Sequence, residues 1–153
     1  MKIKYANQPL EKSIFLAGPT PRTKNVLSWR PEALQLLRKH QFNGTVFVPE
    51  SENNKDFSDW HYDNQVLWEW EGLNQATVIL FWVPRNLKDM PAFTTNVEYG
   101  LTIHSSKVVL GFPEVAEKMK YLEALAKRFN IKTFNDLEKT IIASIEKTNN
   151  PFQ

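Results

Sequence analysis

A chain of 153 residues, with 42% hydrophobic and 24% charged residues, predicts one globular domain that spans residues 1–153 and buries its own core. The net charge of only +2 argues against a protein built mainly to bind nucleic acid. The sequence has no cysteine, which excludes disulfides and thiolate catalysis and favours a cytoplasmic location, and it has no apolar run near the ~18 residues of a membrane span.

The first third of the chain predicts two strands with a helix between them. The apolar run 13–17 indicates a buried strand, and the two prolines of the turn that follows exclude a helix there. Pro31 suits the first turn of a helix, which we predict over 29–41. The run 45–48, closed by Pro49, is typical of a second strand.

The second predicted helix covers residues 59–75 and carries an apolar stripe at helical spacing. The stripe consists of Tyr62, Val66, Trp70 and Leu73. We expect this stripe to face the sheet. Trp68 lies off the stripe, so we expect its ring on the surface or in an interface between subunits.

A continuous apolar run over 77–83 indicates a strand buried on both faces. Beyond it, Thr95 and Glu98 have the spacing of a capping box, which predicts a helix over 95–105 that begins at Thr95. Glu98 then lies in the first helical turn, just past the carboxyl end of a central strand. Two interpretations are open: a carboxylate that caps the helix, or a functional carboxylate at the edge where open α/β sheets bind ligands.

Two more strand–helix pairs complete the chain. They are the strand 107–111, the helix 113–129, the strand 131–134 and the helix 136–147. Five alternations of strand and helix predict a doubly wound parallel α/β sheet with helices on both faces and the flavodoxin-like strand order 2-1-3-4-5. In that order, the turn after Ala17 and the loop after Val83 flank one crevice, which is the expected ligand site.

The turn after the first strand contains groups that suit a ligand. Gly18 has no side chain to keep a ligand from the backbone. Arg22, Lys24 and Arg30 are close enough in sequence to bind a phosphate together. The alternative is a plain strand-ending turn with solvated charges. The three histidines have no metal-ligand spacing, so we expect no metal, and no motif indicates a bound cofactor.

Several strings of the sequence resemble the nucleoside 2-deoxyribosyltransferase superfamily. These are Phe15–Pro19 after the first strand, Glu69 to Ala76 before the third, and Asn96–Gly100 after it. The longer strings 28–31, 81–85 and 91–96 are similar to its transferase-like branch in particular. The resemblance spans about residues 13–112. The flavodoxin-like fold of that family agrees with the strand order derived from the apolar pattern.

The resemblance implies a role for each matching residue. Glu98 takes the place of the family's nucleophile, which attacks C1′ of a 2′-deoxynucleoside, displaces the base and forms a glycosyl–enzyme ester that a second base or water resolves. At a helix start, Glu98 is expected to be ionised and oriented by the helix dipole. Glu69 replaces an aspartate that is common in the family. The positions assigned to substrate binding are Ala17, Gly18, Pro19, Thr20, Glu69, Thr77, Thr95 and Asn96.

Two departures from the family pattern concern the surroundings of the base. The family usually has Ala-Asp just before the third strand, where this chain has Ala76-Thr77. Threonine forms hydrogen bonds but cannot act as an acid at neutral pH. The family's glycine-rich turn before the glutamate is replaced by the bulkier Phe93–Asn96.

The sequence therefore predicts an enzyme that moves a deoxyribosyl group from one base to another. Hydrolysis of a (deoxy)nucleoside 5′-monophosphate is an alternative, because three cations lie near the turn. A non-catalytic nucleotide-binding module is another, which the Asp-to-Thr77 departure favours. The expected partner is a nucleoside or nucleotide, with no membrane or nucleic acid. The resemblance also implies a homo-oligomer, with the Trp68 surface, the third helix and the C-terminal tail as suspected interfaces.

Overall fold

The computed structural model describes residues 11–23, 25–51 and 62–150, and the five parallel strands in these residues form one sheet. The strands are β1 (Ser13–Ala17), β2 (Thr45–Phe47), β3 (Val78–Trp82), β4 (Val108–Gly111) and β5 (Thr133–Phe134). β1 lies between β2 and β3, and Phe15 pairs with both Phe47 and Ile79. The order is β2-β1-β3-β4-β5, so the predicted topology is confirmed.

Five α-helices of the described residues cover both faces of this sheet. They are α1 (Arg30–Lys39), α2 (Tyr62–Gln75), α3 (Phe93–Thr102), α4 (Lys120–Arg128) and α5 (Leu137–Asn149). Successive residues of a strand point to opposite faces. Phe15 and Phe81 therefore pack under α2, α3 and α4, whereas Leu16 and Leu80 pack under α1 and α5. None of these helices combines the length and hydropathy needed to cross a bilayer. The predicted flavodoxin-like arrangement, with helices on both faces, is confirmed.

Some element boundaries differ from the prediction. The helix expected over 113–129 begins only at Lys120. Lys118 has a φ of 54°, in the left-handed region, which an α-helix does not accommodate. The predicted strand 131–134 is reduced to its last two residues. In the second predicted helix, residues 59–61 lie outside the described residues.

Helix α3 begins at Phe93, two residues before the predicted start, so the capping-box interpretation is wrong. Ala92 precedes it in a left-handed conformation, with φ 60° and ψ 38°, and no side chain caps this end. Thr95 is buried within the first turn. Glu98 is the sixth residue of the helix and lies in its second turn, too far along to act as a cap.

Helix α2 packs on the sheet through Leu73 of the predicted stripe, but otherwise through a different face from the one expected. The ring of Trp68 lies 6.2 Å from that of Phe15 and 6.4 Å from that of Phe47, so it joins the core instead of an interface. Gly72, one turn further on, makes room for this packing, because a Cβ there would lie 2.7 Å from the Phe15 ring. In consequence Tyr62 and Trp70 are 74% and 54% exposed.

The turn after β1 requires glycine at position 18. Gly18 has a φ of +149°, and an added Cβ would lie 2.1 Å from the Trp82 carbonyl oxygen and 2.9 Å from the Trp29 ring. We expect Gly18→Ala to lower the free energy of unfolding by about 3 kcal/mol or more, measured by urea denaturation.

Gly100 supplies the matched control for that substitution. It lies on the exposed side of α3, and a Cβ there would have no neighbour within 4 Å. We expect Gly100→Ala to raise the free energy of unfolding by about 0.5–1 kcal/mol, because alanine loses less backbone entropy in a helix. Equal stability of the two variants would contradict the close packing described for the turn.

Candidate active site

A crevice of about 630 Å³ opens at the carboxyl ends of β1 and β3, where this topology reverses direction. Its walls are the turn after β1, the exposed side of α2 and the first two turns of α3. A cavity of this size suits a small organic ligand. Eight of the sequence-predicted residues line it: Gly18, Pro19, Thr20, Arg22, Arg30, Glu69, Thr95 and Glu98.

A larger cavity of about 820 Å³ lies at the opposite edge of the sheet. Val108, at the amino end of β4, lines this cavity together with His104 and Phe129. None of the sequence-predicted site residues lines this cavity. Ligands of open α/β sheets bind at the carboxyl edge, and the crevice there also contains a carboxyl group with a perturbed pKa. The crevice is therefore the better candidate.

The guanidinium of Arg30 holds the turn after β1 in place. Its Nε donates to the Leu16 carbonyl (3.1 Å), and its Nη2 donates to the Gly18 carbonyl (2.7 Å). Its Nη1 donates to Thr20 Oγ1 (3.0 Å) and to Glu50 Oε1 (2.5 Å). Arg30 is only 1% exposed. These contacts correct its predicted role: Arg30 is a buried cation that shapes the crevice wall, already engaged by protein acceptors, and not a free phosphate ligand.

The other two predicted phosphate ligands do not join Arg30. Arg22 is exposed at the crevice, with its guanidinium 5.5 Å from the centre of the Phe93 ring. Its backbone N–H donates to the Asp89 carbonyl (3.0 Å), which ties the turn to the loop before α3. Lys24 lies outside the described residues. Among the described crevice residues, Arg22 is therefore the accessible cation.

Glu98 projects into the crevice from α3, which is fixed on β3 by the edge-on contact of Tyr99 with Phe81, 5.2 Å between ring centres. Burial raises the pKa of Glu98 to about 7, the negative charge of Glu69 adds to this rise, and the positive charge of Arg30 opposes it. The expectation that a helix start keeps Glu98 ionised is therefore wrong, since desolvation outweighs the dipole for a residue one turn inside the helix.

Glu69 is the second carboxylate of the crevice. Gln65, one turn before it on α2, donates from Nε2 to Glu69 Oε1 (2.9 Å). An amide N–H donor favours the ionised form of a carboxyl group. The two carboxyl groups thus have unequal surroundings: Glu69 accepts a hydrogen bond from Gln65, whereas burial raises the pKa of Glu98. Within the described ranges, no third histidine, aspartate or glutamate joins them to form a metal site.

Three predicted substrate-binding residues lie outside the crevice. Thr77 stands at the amino end of β3, where its Oγ1 donates to the Glu11 carbonyl (3.1 Å) and accepts the backbone N–H of Ser13 (3.2 Å). This edge of the sheet is opposite to the crevice, so the predicted role of Thr77 in substrate binding is corrected. Ala17 is buried in the core beneath the site. Asn96 accepts a hydrogen bond from Arg85, away from the cavity.

Several crevice residues were not assigned to it from the sequence. Among them are the apolar lining residues Tyr62, Val66, Trp70, Phe93, Val97 and Leu101. The α2 members were recognised as a stripe at helical spacing but assigned to the core, because periodicity does not say which of two partners a stripe meets. Gln65 and Glu50 carried no sequence signal, since their roles come from hydrogen bonds made in the folded chain.

The buried carboxyl group predicts a stability that depends on pH. The pKa of Glu98 rises from its ordinary 4.5 to about 7 on folding, so the folded protein binds this proton more tightly than the unfolded chain does. Ionised Glu98 therefore destabilises the fold. The penalty is small below pH 4.5, grows up to pH 7, and reaches about 3 kcal/mol above that. We expect Glu98→Gln to raise the free energy of unfolding at pH 8 and to have little effect at pH 4.5.

Urea denaturation of wild type and Glu98→Gln at the two pH values measures this difference. The exposed Glu71→Gln, on α2, is the matched control and should track wild type at both. A Glu98→Gln variant less stable than wild type at pH 8 would show that the carboxylate is favourably solvated in the fold.

Comparison with protein families matches residues 11–116 to the family described as nucleoside 2-deoxyribosyltransferase like. The match runs from the residues before β1 to the loop after β4 and includes every described residue that lines the crevice. A search of curated proteins found no match. The family implies nucleoside binding and suggests an enzyme of the transferase or glycosidase kind. The chain belongs to the nucleoside 2-deoxyribosyltransferase-like family.

Proposed function

We propose that the protein cleaves the N-glycosidic bond of a 2′-deoxynucleoside and transfers the deoxyribosyl group to another base, with Glu98 as the nucleophile. The observation that carries this proposal is the position of Glu98: a partly buried carboxyl group, with its pKa raised to about 7, in the wall of the crevice at the carboxyl edge. Groups that perform acid, base or nucleophilic chemistry at neutral pH have such perturbed values. Membership of the family supports the same chemistry.

The proposed reaction has two steps. A carboxylate oxygen of Glu98 forms a bond to C1′ as the bond from C1′ to the base breaks, and the electrons of that bond go to the base nitrogen, which takes up a proton. The incoming base then attacks C1′, loses its own proton and releases the Glu98 carboxylate. Glu69 is suited to carry protons in both steps, because it lies in the same cavity and its field acts on Glu98.

The apolar lining of the crevice supports a nucleobase as part of the ligand. The rings of Tyr62, Trp70 and Phe93 border the cavity and are largely exposed, so they offer flat surfaces on which a base can stack. Base stacking on aromatic side chains contributes about 1–3 kcal/mol. The polar groups of Glu69 and Gln65 on the same wall can bind the edge of the base.

Hydrolysis of a nucleoside 5′-monophosphate remains the second candidate, and Arg22 favours it. Its guanidinium borders the crevice and is exposed, so a phosphate can reach it. The hypothesis of a non-catalytic binding module is weakened, because the sequence argument for it does not hold in the structure. That argument was the replacement of the family aspartate by Thr77, which lies at the other edge of the sheet and takes no acid away from this crevice.

Chromatography of reaction mixtures tests the proposal. We expect wild-type protein to release free base from a 2′-deoxynucleoside and, with a second base present, to form a new nucleoside. The rate should rise with pH through about 7, as Glu98 ionises in the free enzyme. Glu98→Ala should reduce the rate by at least about 10³-fold, because a covalent step is lost. Glu71→Gln, exposed on the same helix as Glu69, should retain the wild-type rate.

Each other outcome selects a different function. Release of base without a new nucleoside indicates a hydrolase, and a requirement for the 5′-phosphate selects the monophosphate reaction. A nucleoside that raises the melting temperature without being consumed by wild-type protein indicates a binding module.

We also propose that the chain forms a homo-oligomer. Val97 and Leu101 are 62% and 68% exposed on one side of α3, and Leu67 of α2 is 55% exposed. A second copy would cover this apolar surface, whose exposure in a monomer is unfavourable. In sedimentation, Leu101→Glu should shift the protein towards monomer. Val115→Glu, at a still more exposed position after β4, should not. A monomeric wild-type protein would contradict the proposal.

A further inference from the structure

One buried cation, Arg30, interacts electrostatically with three carboxylates at the crevice. Arg30 is 1% exposed, and Glu50 forms an ion pair with its Nη1 at 2.5 Å. Glu98 and Glu69 also act on this guanidinium electrostatically. If all three acids were ionised, this group of four residues would carry two negative charges in excess. The charge that Arg30 offers to the crevice therefore depends on how much of it Glu50 already neutralises.

Glu50 is held firmly in its place opposite Arg30. It follows β2, and both of its carboxylate oxygens lie within hydrogen-bond distance of Ser28 Oγ, at 2.8 and 3.0 Å. Ser28 Oγ in turn accepts the backbone N–H of Arg30 at 3.2 Å. Ser28 and Arg30 therefore hold Glu50 in position, and Ser28 also binds the first backbone N–H of α1. Glu50 is thus fixed by a hydroxyl donor on one side and by the buried guanidinium on the other.

The charged and titratable groups that face Glu98 come from every described element that borders the cavity. They are Arg22 from the turn after β1, Arg30 from α1, Tyr62 and Glu69 from α2, and, behind Arg30, Glu50. Arg22 and Tyr62 are exposed, so water screens their fields. Arg30 is the buried cation among them, and Glu69 is the carboxylate that shares the cavity with Glu98.

We propose that Glu50 is a positioning residue for the reaction: by neutralising Arg30 from behind, it keeps the crevice around Glu98 anionic, as a cationic sugar transition state requires. This inference rests on the proposed glycosidic cleavage. An oxocarbenium-like transition state carries positive charge that an anionic site stabilises. Without Glu50, Arg30 would present its whole charge to the crevice. The proton affinity of Glu98 would then fall, and so would the stabilisation of the transition state.

The direct test is the titration of Glu98 by NMR, with ¹³C-labelled glutamate carboxyl groups assigned by Glu98→Gln. We expect Glu50→Gln to lower the titration midpoint of Glu98 by about half a pH unit or more, because the charge of Arg30 would no longer be neutralised. Glu32→Gln is the matched control: Glu32 is exposed in the first turn of α1, and its removal should leave the midpoint unchanged. An equal midpoint in Glu50→Gln and wild type would overturn the proposal.

A second pair of variants keeps the test decisive if Glu50→Gln does not fold with Arg30 unpaired. Arg30→Met with Glu50→Gln removes cation and counter-ion together, and the midpoint of Glu98 should stay within about half a pH unit of wild type. A rise of more than about one unit would mean that Glu50 does not neutralise Arg30. Glu50→Asp keeps the charge and should preserve the wild-type midpoint.

The rates of base release complete the experiment and separate the two proposals. At a pH well above both midpoints, we expect Glu50→Gln to lower kcat about tenfold while KM changes little, because the lost interaction is made in the transition state. A wild-type protein that releases no base refutes the proposed function, whereas the NMR titration still measures the coupling. A shifted midpoint with an unchanged kcat would refute the catalytic role of Glu50 alone.

Discussion

The buried guanidinium of Arg30 is the interaction on which the crevice depends. β1 ends at a sharp turn that must leave the sheet, and its carbonyl groups at Leu16 and Gly18 need donors. Arg30 supplies them from the first position of α1, and the Trp29 indole donates to the Pro19 carbonyl at 3.1 Å beside it. The turn is thus built by donors from the next helix. One consequence is that a cation lies permanently behind the wall of the cavity.

Because of that cation, the stability of the fold and the electrostatics of the crevice depend on the same ion pair. A buried arginine is tolerated only when its charge is compensated, and Glu50 provides that compensation at the end of β2. Glu98 receives less help, because the Arg30 charge is shared and Glu69 repels it. Of these two carboxylates, Glu50 is therefore well paired with Arg30 and Glu98 is not. The proposed reaction depends on this difference, since a carboxylate with little stabilisation from the protein loses little when it forms a bond to a ligand.

The sheet was predictable because its signals are local. Each central strand is a continuous apolar run, and the alternation with helices leaves few topologies, so the strand order follows from connection rules. The site was predictable in part for the same reason: strand ends fix which turns meet. Gly18 and Glu98 meet in the crevice although 80 positions separate them, as the order β1-β3 requires. Lys24 lies outside the described residues, so the structure leaves its predicted role open.

The errors arose where a local pattern had two solutions. Thr95 and Glu98 have capping-box spacing, but the left-handed Ala92 starts α3 earlier, which turns a cap into a second-turn carboxylate. Trp68 was placed outside because its neighbours formed a stripe, yet Gly72 lets Phe15 approach on the Trp68 side. The backbone conformation of one residue decided the first outcome, and a close approach between distant residues decided the second. No periodicity within a single segment contains that information.

The three carboxylates around Arg30 illustrate how one fold separates roles among chemically identical groups. Glu50 forms an ion pair with Arg30, Glu69 accepts a hydrogen bond from the amide of Gln65, and Glu98 is desolvated on the wall of the cavity. Burial makes Glu98 bind a proton more tightly in the folded protein than in the unfolded chain. A ligand whose sugar becomes cationic opposes this effect, because it favours the ionised form of the carboxylate nearest to it. The surroundings of the crevice thus distinguish Glu98 from the other two carboxyl groups, which is the asymmetry that the proposed reaction requires.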